Sequence, residues 1–152
     1  MTRSTFVYVT YIRSTPERVW SALTEDRQFM KQYWFGMYCE SDWVPGAAWK
    51  MVTADGTVCD SGEILESVPP RRLVIRWFHQ RNPELAAEGE ARCTLELESS
   101  GSAVKLTITH TMAREGSKLI TAVSGGWPKI LSNLKSLLES GEVALTSKEF
   151  PK

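Results

Sequence analysis

The sequence has few of the residues from which metal centres and disulfide frameworks are built. It contains three cysteines and two histidines in 152 residues. Cys39, Cys59 and Cys93 are widely spaced and form no C-x-x-C pair, so neither a disulfide framework nor a thiolate metal site is predicted. The H-E-x-x-H and G-x-S-x-G motifs are also missing, which leaves hydrolase and metalloenzyme chemistry without support. We therefore expect reduced thiols, no metal and no cofactor.

An excess of charge of one sign and long apolar runs are missing as well. Lysine plus arginine number 18, as do aspartate plus glutamate, so the formal net charge is zero. This balance gives no attraction to nucleic acid or to anionic lipid. No apolar run approaches the ~20 residues that span a bilayer, and residues 1–15 are too polar for a signal peptide. We expect a cytoplasmic protein that binds neither nucleic acid nor a membrane.

Aromatic residues, by contrast, are abundant. Six tryptophans are present in a chain of 152 residues that is 42% hydrophobic. The length suits one domain with one core. In a domain of this size, tryptophan rings either fill the core or form the walls of a ligand site.

The N-terminal segments predict one strand followed by two short helices. Residues 6–12 are rich in β-branched and aromatic side chains, which is typical of a strand. Thr15 and Pro16 are favoured at the cap and first turn of a helix, and Trp20 lies on the apolar face of that helix, where we expect it in the core. Residues 25–33 predict the second short helix.

Five further segments show the period of two that is typical of strands. They are residues 47–53, 57–68, 71–79, 91–98 and 103–112. Asp55-Gly56 favours a tight hairpin turn between the first two. The polar residues 80–89 predict a loop.

A long amphipathic helix is predicted from Ser117, because the apolar period changes there to 3.6 residues and persists until Gly141. A Gly-Gly pair and Pro128 interrupt this pattern near its middle. Proline lacks a backbone donor and clashes with the preceding turn, so we expect the helix to kink there or to restart at Trp127.

This order of elements predicts an α+β domain. A single helix covers a sheet of about six strands only if the sheet is curved around it, and a hollow remains where the two short helices hold helix and sheet apart. We expect one domain over residues 1–141 and a frayed tail over 142–152.

Three segments together resemble a known family. They are TPERVWSALTEDRQFMKQYW at 15–34, PPRRLVIRWFH at 69–79 and GGWPKILSNLKSLLESG at 125–141. The chain is similar over nearly its whole length to the activator-of-Hsp90-ATPase-like (AHSA-type) branch of the START/SRPBCC superfamily, although Pro128 departs from the family's usual pattern. The resemblance implies the helix-grip fold and a cavity that often takes a hydrophobic small molecule. It implies no single activity, because this fold serves carriers, receptors, cyclases and chaperone regulators.

The candidate ligand-binding residues are mostly aromatic, and plain core packing is the competing interpretation for each of them. They are Trp34, Phe35, Trp49, Trp77, His110, Met112 and Trp127.

The polar candidates are fewer. His110 is a lone imidazole on an apolar strand face, so it is either a hydrogen-bonded core histidine or a polar anchor for a ligand. His79 ends a strand beside the polar loop, and we expect it to be solvated. Alternation places Asp60 and Glu66 on the face opposite Glu63, so no compact carboxylate pair is predicted.

These observations support three functional hypotheses. The leading one is a non-enzymatic protein that binds a hydrophobic or amphipathic small molecule between the sheet and the C-terminal helix. The alternative is a chaperone-associated regulator whose partner is a heat-shock ATPase, which the resemblance alone implies. The weakest is a polyketide-cyclase-like enzyme with His110 or a buried acid as general base. A homodimer is left open.

Overall fold

The computed structural model describes residues 3–145, and it confirms an α+β fold with a C-terminal helix against an antiparallel sheet. The elements in chain order are β1 Ser4–Ile12, α1 Pro16–Thr24, α2 Arg27–Tyr33, β2 Tyr38–Ser41, β3 Ala48–Val52, β4 Val58–Val68, β5 Arg72–His79, α3 Pro83–Ala86, β6 Glu90–Ser100, β7 Ala103–Met112 and α4 Lys118–Ser140.

The seven strands form one antiparallel sheet in the order β1-β7-β6-β5-β4-β3-β2. Strands β6 and β7 alternate buried and more exposed residues along most of their length, because one face packs on the core and the other meets solvent. The ladder is irregular between Met51 and Val52 and between Ile64 and Glu66. Bulges of this kind bend a strand and help a sheet to curve around a helix.

The two short helices begin where capping residues satisfy their first amide groups. The Thr15 hydroxyl accepts a hydrogen bond from the Arg18 backbone N–H at 3.2 Å, and the Asp26 carboxylate accepts one from Phe29 at 3.0 Å. These bonds replace the partners that the first turn of a helix lacks. Trp20 is 7% exposed and belongs to the core, as expected.

Two short elements were not predicted. Strand β2 has four residues, Tyr38–Ser41, and forms one edge of the sheet, while α3 is a single turn within the segment expected to be a loop. Both are too short to show a hydrophobic period in the sequence. Their contacts with longer neighbouring elements stabilise them.

Helix α4 runs without interruption from Lys118 to Ser140 with Pro128 inside it. Of the two expected alternatives, the restart at Trp127 is therefore excluded, and the kink stays a prediction. Proline removes one backbone hydrogen bond. Trp127 and Ile130, on either side of Pro128, are each 4% exposed. The free energy gained by burying these two side chains offsets the loss of one backbone hydrogen bond. The helix ends at Gly141, whose φ of 85° is readily adopted by glycine.

The described part of the predicted tail folds back on α4. The Asn133 side chain donates to the Leu145 carbonyl at 3.1 Å and accepts from the Leu145 N–H at 2.7 Å. Residues 146–152 of the predicted tail lie outside the described residues. Between residues 3 and 145, no helix has the length and apolar character needed to cross a membrane.

Candidate functional site

A cavity of about 180 Å³ lies between the sheet and the N-terminal half of α4. Its walls are largely apolar and come from β3, β4, β5, α4 and the segment after α2. The lining residues are Trp34, Met37, Met51, Cys59, Asp60, Trp77, His79, Arg81, Leu119, Ala122, Val123, Gly126, Trp127 and Ile130.

One wall depends on a glycine between two tryptophans. Gly62 pairs with Trp49 on one side and with Trp77 on the other, so both indoles project from the sheet face at the same level. Their ring centroids lie 4.4 Å apart. A Cβ atom on Gly62 would sit 1.7 Å from the Arg76 carbonyl oxygen. Only glycine fits at this position, because a side chain would clash with the backbone of β5.

Trp127 of α4 closes this aromatic layer from the helix side. Its ring lies edge-on to Trp34 at 5.4 Å and to Trp77 at 6.0 Å. Its indole N–H donates to Nδ1 of His110 at 3.2 Å. Edge-to-face ring pairs and a satisfied indole N–H both favour a fixed arrangement. The layer therefore forms a rigid floor to the cavity.

On the other side of this layer the interior is nearly filled. The free space among Leu23, Tyr33, Trp49, Leu131 and their neighbours amounts to about 20 Å³, which is room for about one water molecule. Trp49 lies in this filled region rather than on the cavity wall.

The irregularity in β4 decides which carboxylates face the cavity. Pairing is regular from Val68–Arg72 to Glu66–Val74, and then shifts by one residue so that Asp60 pairs with His79. A shift of one residue exchanges the two faces of a strand. Asp60 therefore lies on the inner face.

Glu63 and Glu66, in contrast, both lie on the outer face. Glu66 forms an ion pair with Arg72 at 3.2 Å, and Glu63 forms one with Arg76 at 3.2 Å. The expectation that Asp60 and Glu66 share a face opposite Glu63 is wrong, because simple alternation ignores the bulge.

Asp60, His79 and Arg81 form the polar end of the cavity. The Asp60 carboxylate, 6% exposed, accepts a hydrogen bond from the Trp77 indole N–H at 2.6 Å. Its other oxygen lies 3.1 Å from Nδ1 of His79, whose side chain is 20% exposed. His79, which we expected to be solvated, is thus partly exposed and lies beside a buried carboxylate. Arg81 lies at the exposed rim of the cavity.

The buried thiols are poorly suited to nucleophilic chemistry. Burial, followed by the charge of Asp60, raises the pKa of Cys59 to about 11, although the positive charge of Arg81 opposes this shift. Burial also raises the pKa of Cys39 and of Cys93 well above the usual range of a thiol. A thiol held protonated at neutral pH is a weak nucleophile.

His110 is fully buried and is not among the residues that line the cavity. Its ring contacts Trp77 at 5.1 Å and Trp127 at 6.5 Å. Burial lowers its pKa to about 4, so the imidazole is neutral at pH 7. Because Nδ1 accepts from Trp127, the proton resides on Nε2, which has no hydrogen-bond partner within residues 3–145.

The structure brings only some of the candidate residues together. Trp34, Trp77 and Trp127 line the cavity. Phe35, with a positive φ of 55°, packs at the margin of the core. Met112 lies away from the cavity, where it lines a separate groove of mixed polarity with Arg92.

The polar end of the cavity was not predicted from the sequence. Asp60 is far from His79 and Arg81 in the sequence, and the one-residue bulge in β4 hides the pairing of Asp60 with His79. Within the described chain, no group of three His, Cys, Asp or Glu side chains has the arrangement of a metal site.

An antiparallel sheet packed on a long C-terminal helix, with a hollow between them, defines the helix-grip class of domains. The family model described as "Activator of Hsp90 ATPase homolog 1-like protein" matches residues 13–139. The chain therefore belongs to this family, as its sequence resemblance implied. Among curated proteins no match was found.

Solved structures support the fold. Protein MLL2253 from Mesorhizobium loti is 20% identical, with a TM-score of 0.76 over 92% of this chain and 100% of that chain. The Aha1 dimer from Colwellia psychrerythraea is 19% identical, with a TM-score of 0.72 over 91% and 98%. PFC0360w, an HSP90 activator from Plasmodium falciparum, is 21% identical, with a TM-score of 0.71 over 89% and 96%.

Proposed function

We propose that this protein binds a small, mainly apolar molecule in the cavity between the sheet and the N-terminal half of α4. The observation that carries the proposal is the cavity itself, a space of about 180 Å³ with apolar walls. Well-packed interiors rarely leave voids larger than a water molecule. A hollow of this size next to a nearly filled region is the feature that a ligand site requires.

The size and walls of the cavity limit the ligand. Typical sites for drug-sized ligands measure ~300–1,000 Å³, so a cavity of about 180 Å³ fits a compound of one or two rings. Contact with apolar walls stabilises such a compound by ~25 cal/mol per Å² of apolar surface removed from water, before the cost of immobilising it. The preformed aromatic floor keeps that cost low.

A pair of variants in α4 tests this proposal. Ala122 lies at the exposed edge of the cavity, whereas its neighbour Thr121 is exposed but does not line it. We expect a screen of small aromatic compounds by native mass spectrometry and thermal shift to find binders of the wild type. Ala122→Phe should weaken the best binder by at least about tenfold, and Thr121→Phe should leave it unchanged. Absence of any binder, or equal binding by all three proteins, would contradict the proposal.

A second candidate function is regulation of a heat-shock ATPase through the outer surface. Membership of the family and the structural likeness to an HSP90 activator from Plasmodium falciparum support it. We expect an activator to raise the ATPase rate of the host's Hsp90 in a coupled assay. Ala122→Phe should retain this activity, because an outer-surface function does not need the cavity. Lack of binding to Hsp90 in a pull-down would exclude this candidate.

Self-association stays a prediction. The edge strand β1 exposes Val7, Val9 and Tyr11 by 43–55%, and one structural relative is described as a dimer. Light scattering of the purified protein over a range of concentrations tests it, with a constant monomer mass as the contrary result.

A further inference from the structure

The polar end of the cavity has one hydrogen-bonding atom that the fold leaves unused. Oδ2 of Asp60 accepts the Trp77 indole N–H at 2.6 Å, and Oδ1 lies 3.1 Å from Nδ1 of His79. A carboxylate beside Nδ1 favours the tautomer with its proton on that nitrogen. In the neutral ring with this tautomer, Nε2 of His79 carries a lone pair, and no residue among 3–145 is bonded to it.

Arg81 adds a positive charge at the same end. It lines the cavity and is close enough to Cys59 for its charge to lower the pKa of that thiol against the larger effect of burial. No carboxylate within residues 3–145 forms an ion pair with its guanidinium. An unpaired guanidinium at the rim attracts an electronegative ligand atom.

The geometry points to a hydroxyl group as the polar part of the ligand: a phenolic or enolic hydroxyl donates to Nε2 of His79, and its oxygen faces Arg81. This inference rests on the proposed function, since it assigns the ligand class for the same cavity. The apolar walls hold the ring, and the His79–Asp60 pair selects its substituent. Asp60 is the positioning residue, and His79 is the residue in contact with the ligand.

The charges around the site disfavour the other common substituents. A carboxylate on the ligand would be attracted by Arg81 but repelled by Asp60, which is buried and strongly held in place. An ammonium group on the ligand would be attracted by Asp60 but repelled by Arg81. A neutral hydroxyl tolerates both charges and supplies the proton that Nε2 accepts.

The test compares ligands that share one ring system. Titration calorimetry of the wild type uses 2-naphthol, 2-methoxynaphthalene, which accepts but does not donate a hydrogen bond, and 2-naphthoate. We expect 2-naphthol to bind about tenfold more tightly than the ether, as for one added hydrogen bond, and 2-naphthoate to bind less tightly than 2-naphthol. His79→Phe should abolish the preference for the hydroxyl while retaining affinity for the ring. Glu63→Gln changes a carboxylate on the outer face of β4, the strand that carries Asp60. It should leave the affinities of all three ligands unchanged.

A second variant keeps the test decisive if His79→Phe fails to fold. Asp60→Asn retains an acceptor for Trp77 and presents an amide donor to Nδ1 of His79, which moves the ring proton to Nε2. We expect the preference to shift from 2-naphthol towards 2-methoxynaphthalene. A merely structural role of Asp60 would weaken both ligands equally.

The outcomes separate the two proposals. Equal binding of 2-naphthol and its ether to the wild type would overturn the hydroxyl anchor and leave the apolar site intact. A preference for the hydroxyl that survives both His79→Phe and Asp60→Asn would overturn the role of these residues. Failure of all three naphthalenes to bind would contradict the proposed function itself at this ligand size.

Discussion

The space between α4 and the sheet has two halves that differ in how completely they are filled. Beside the C-terminal half of α4, Leu131, Leu134 and Leu137 are 0–6% exposed, and the nearby void measures about 20 Å³. Beside the N-terminal half the helix presents small residues, Ala122 and Gly126, and the hollow measures about 180 Å³. Small side chains at these two positions of the helix leave part of that space open.

The two halves also differ in polarity. The filled half contains apolar side chains, whereas the open half ends at Asp60, His79 and Arg81. A buried carboxylate is tolerated only where hydrogen-bond donors meet it, and the Trp77 indole provides one. Trp77 and Trp127 separate the halves, so one region supplies stability while the other is available for function.

The largest expected effect tests the filled half. Leu134 is 0% exposed, so Leu134→Ala should lower the free energy of unfolding by about 3 kcal/mol through lost burial and a new cavity. Val123 is partly exposed and lines the existing hollow, so Val123→Ala should cost about 1 kcal/mol or less. Urea denaturation of both variants measures the difference. Equal losses would show that the two halves are packed alike.

The second effect concerns His110, which lies in the aromatic layer between the halves. Burial lowers its pKa to about 4 in the folded protein, from about 6.5 in an unfolded chain. The unfolded chain therefore binds the proton first, and stability is complete above pH 6.5 and falls as the pH drops towards 4. At ~1.4 kcal/mol per pKa unit, the loss reaches up to about 3 kcal/mol.

His110→Gln keeps an acceptor for the Trp127 indole but does not titrate in this range. We expect the difference in unfolding free energy between this variant and the wild type to shrink or change sign as the pH falls from 7 to 4. Urea denaturation across this range measures it, and carboxylate titrations cancel because both proteins share them. A constant difference would show that His110 is solvated by water that reaches the aromatic layer.

Most of the fold could be predicted from the sequence, because long periodic segments determine it. Strands β6 and β7 alternate along most of their length, and the apolar stripe of α4 ends at a glycine with a positive φ. Trp77 and Trp127 could be chosen as cavity residues from their positions on the sheet face and the helix stripe.

The polar end of the site could not be predicted in the same way. Asp60 faces inwards only because one extra residue between Ile64 and Glu66 changes the register of β4. A bulge leaves no period in the sequence, so counting alternate residues assigns Asp60 and Glu66 to the same face. The hydrogen bond from Trp77 reveals the true orientation.

A smaller effect concerns the N-terminus of α4, in the open half, which the Glu88 carboxylate caps. Glu88, after α3, accepts hydrogen bonds from the Ser117 hydroxyl at 2.6 Å and from the Lys118 and Leu119 N–H groups at 2.8 and 3.3 Å. Burial acts to raise the pKa of Glu88, but these bonds outweigh it and the pKa lies below its ordinary value. The carboxylate thus caps the positive end of α4.

Glu88→Gln should lower the unfolding free energy by about 1 kcal/mol at pH 7, because it removes the charge of the cap. A depressed pKa contributes stability above the unfolded value of ~4.3 and loses it as the pH falls through the folded value. The difference from the wild type should therefore vanish near pH 2. Urea denaturation at both pH values measures it, and a difference that persists in acid would show that the amide disturbs packing instead.

The smallest effect asks whether the small residues of the open half are needed for the helix or for the hollow. Gly125 lies in the interior of α4, is exposed, and a Cβ atom there would meet nothing within 4 Å. Gly125→Ala should therefore raise the unfolding free energy by about 0.5–1 kcal/mol through lower chain entropy in the unfolded state. Gly141→Ala should lower the unfolding free energy by about 1 kcal/mol, because the φ of 85° at this position is strained for a residue with a side chain. Thermal unfolding of both variants measures these opposite signs. If Gly125→Ala were destabilising, the open half would need a flexible helix, and its hollow would depend on backbone freedom as well as on side-chain size.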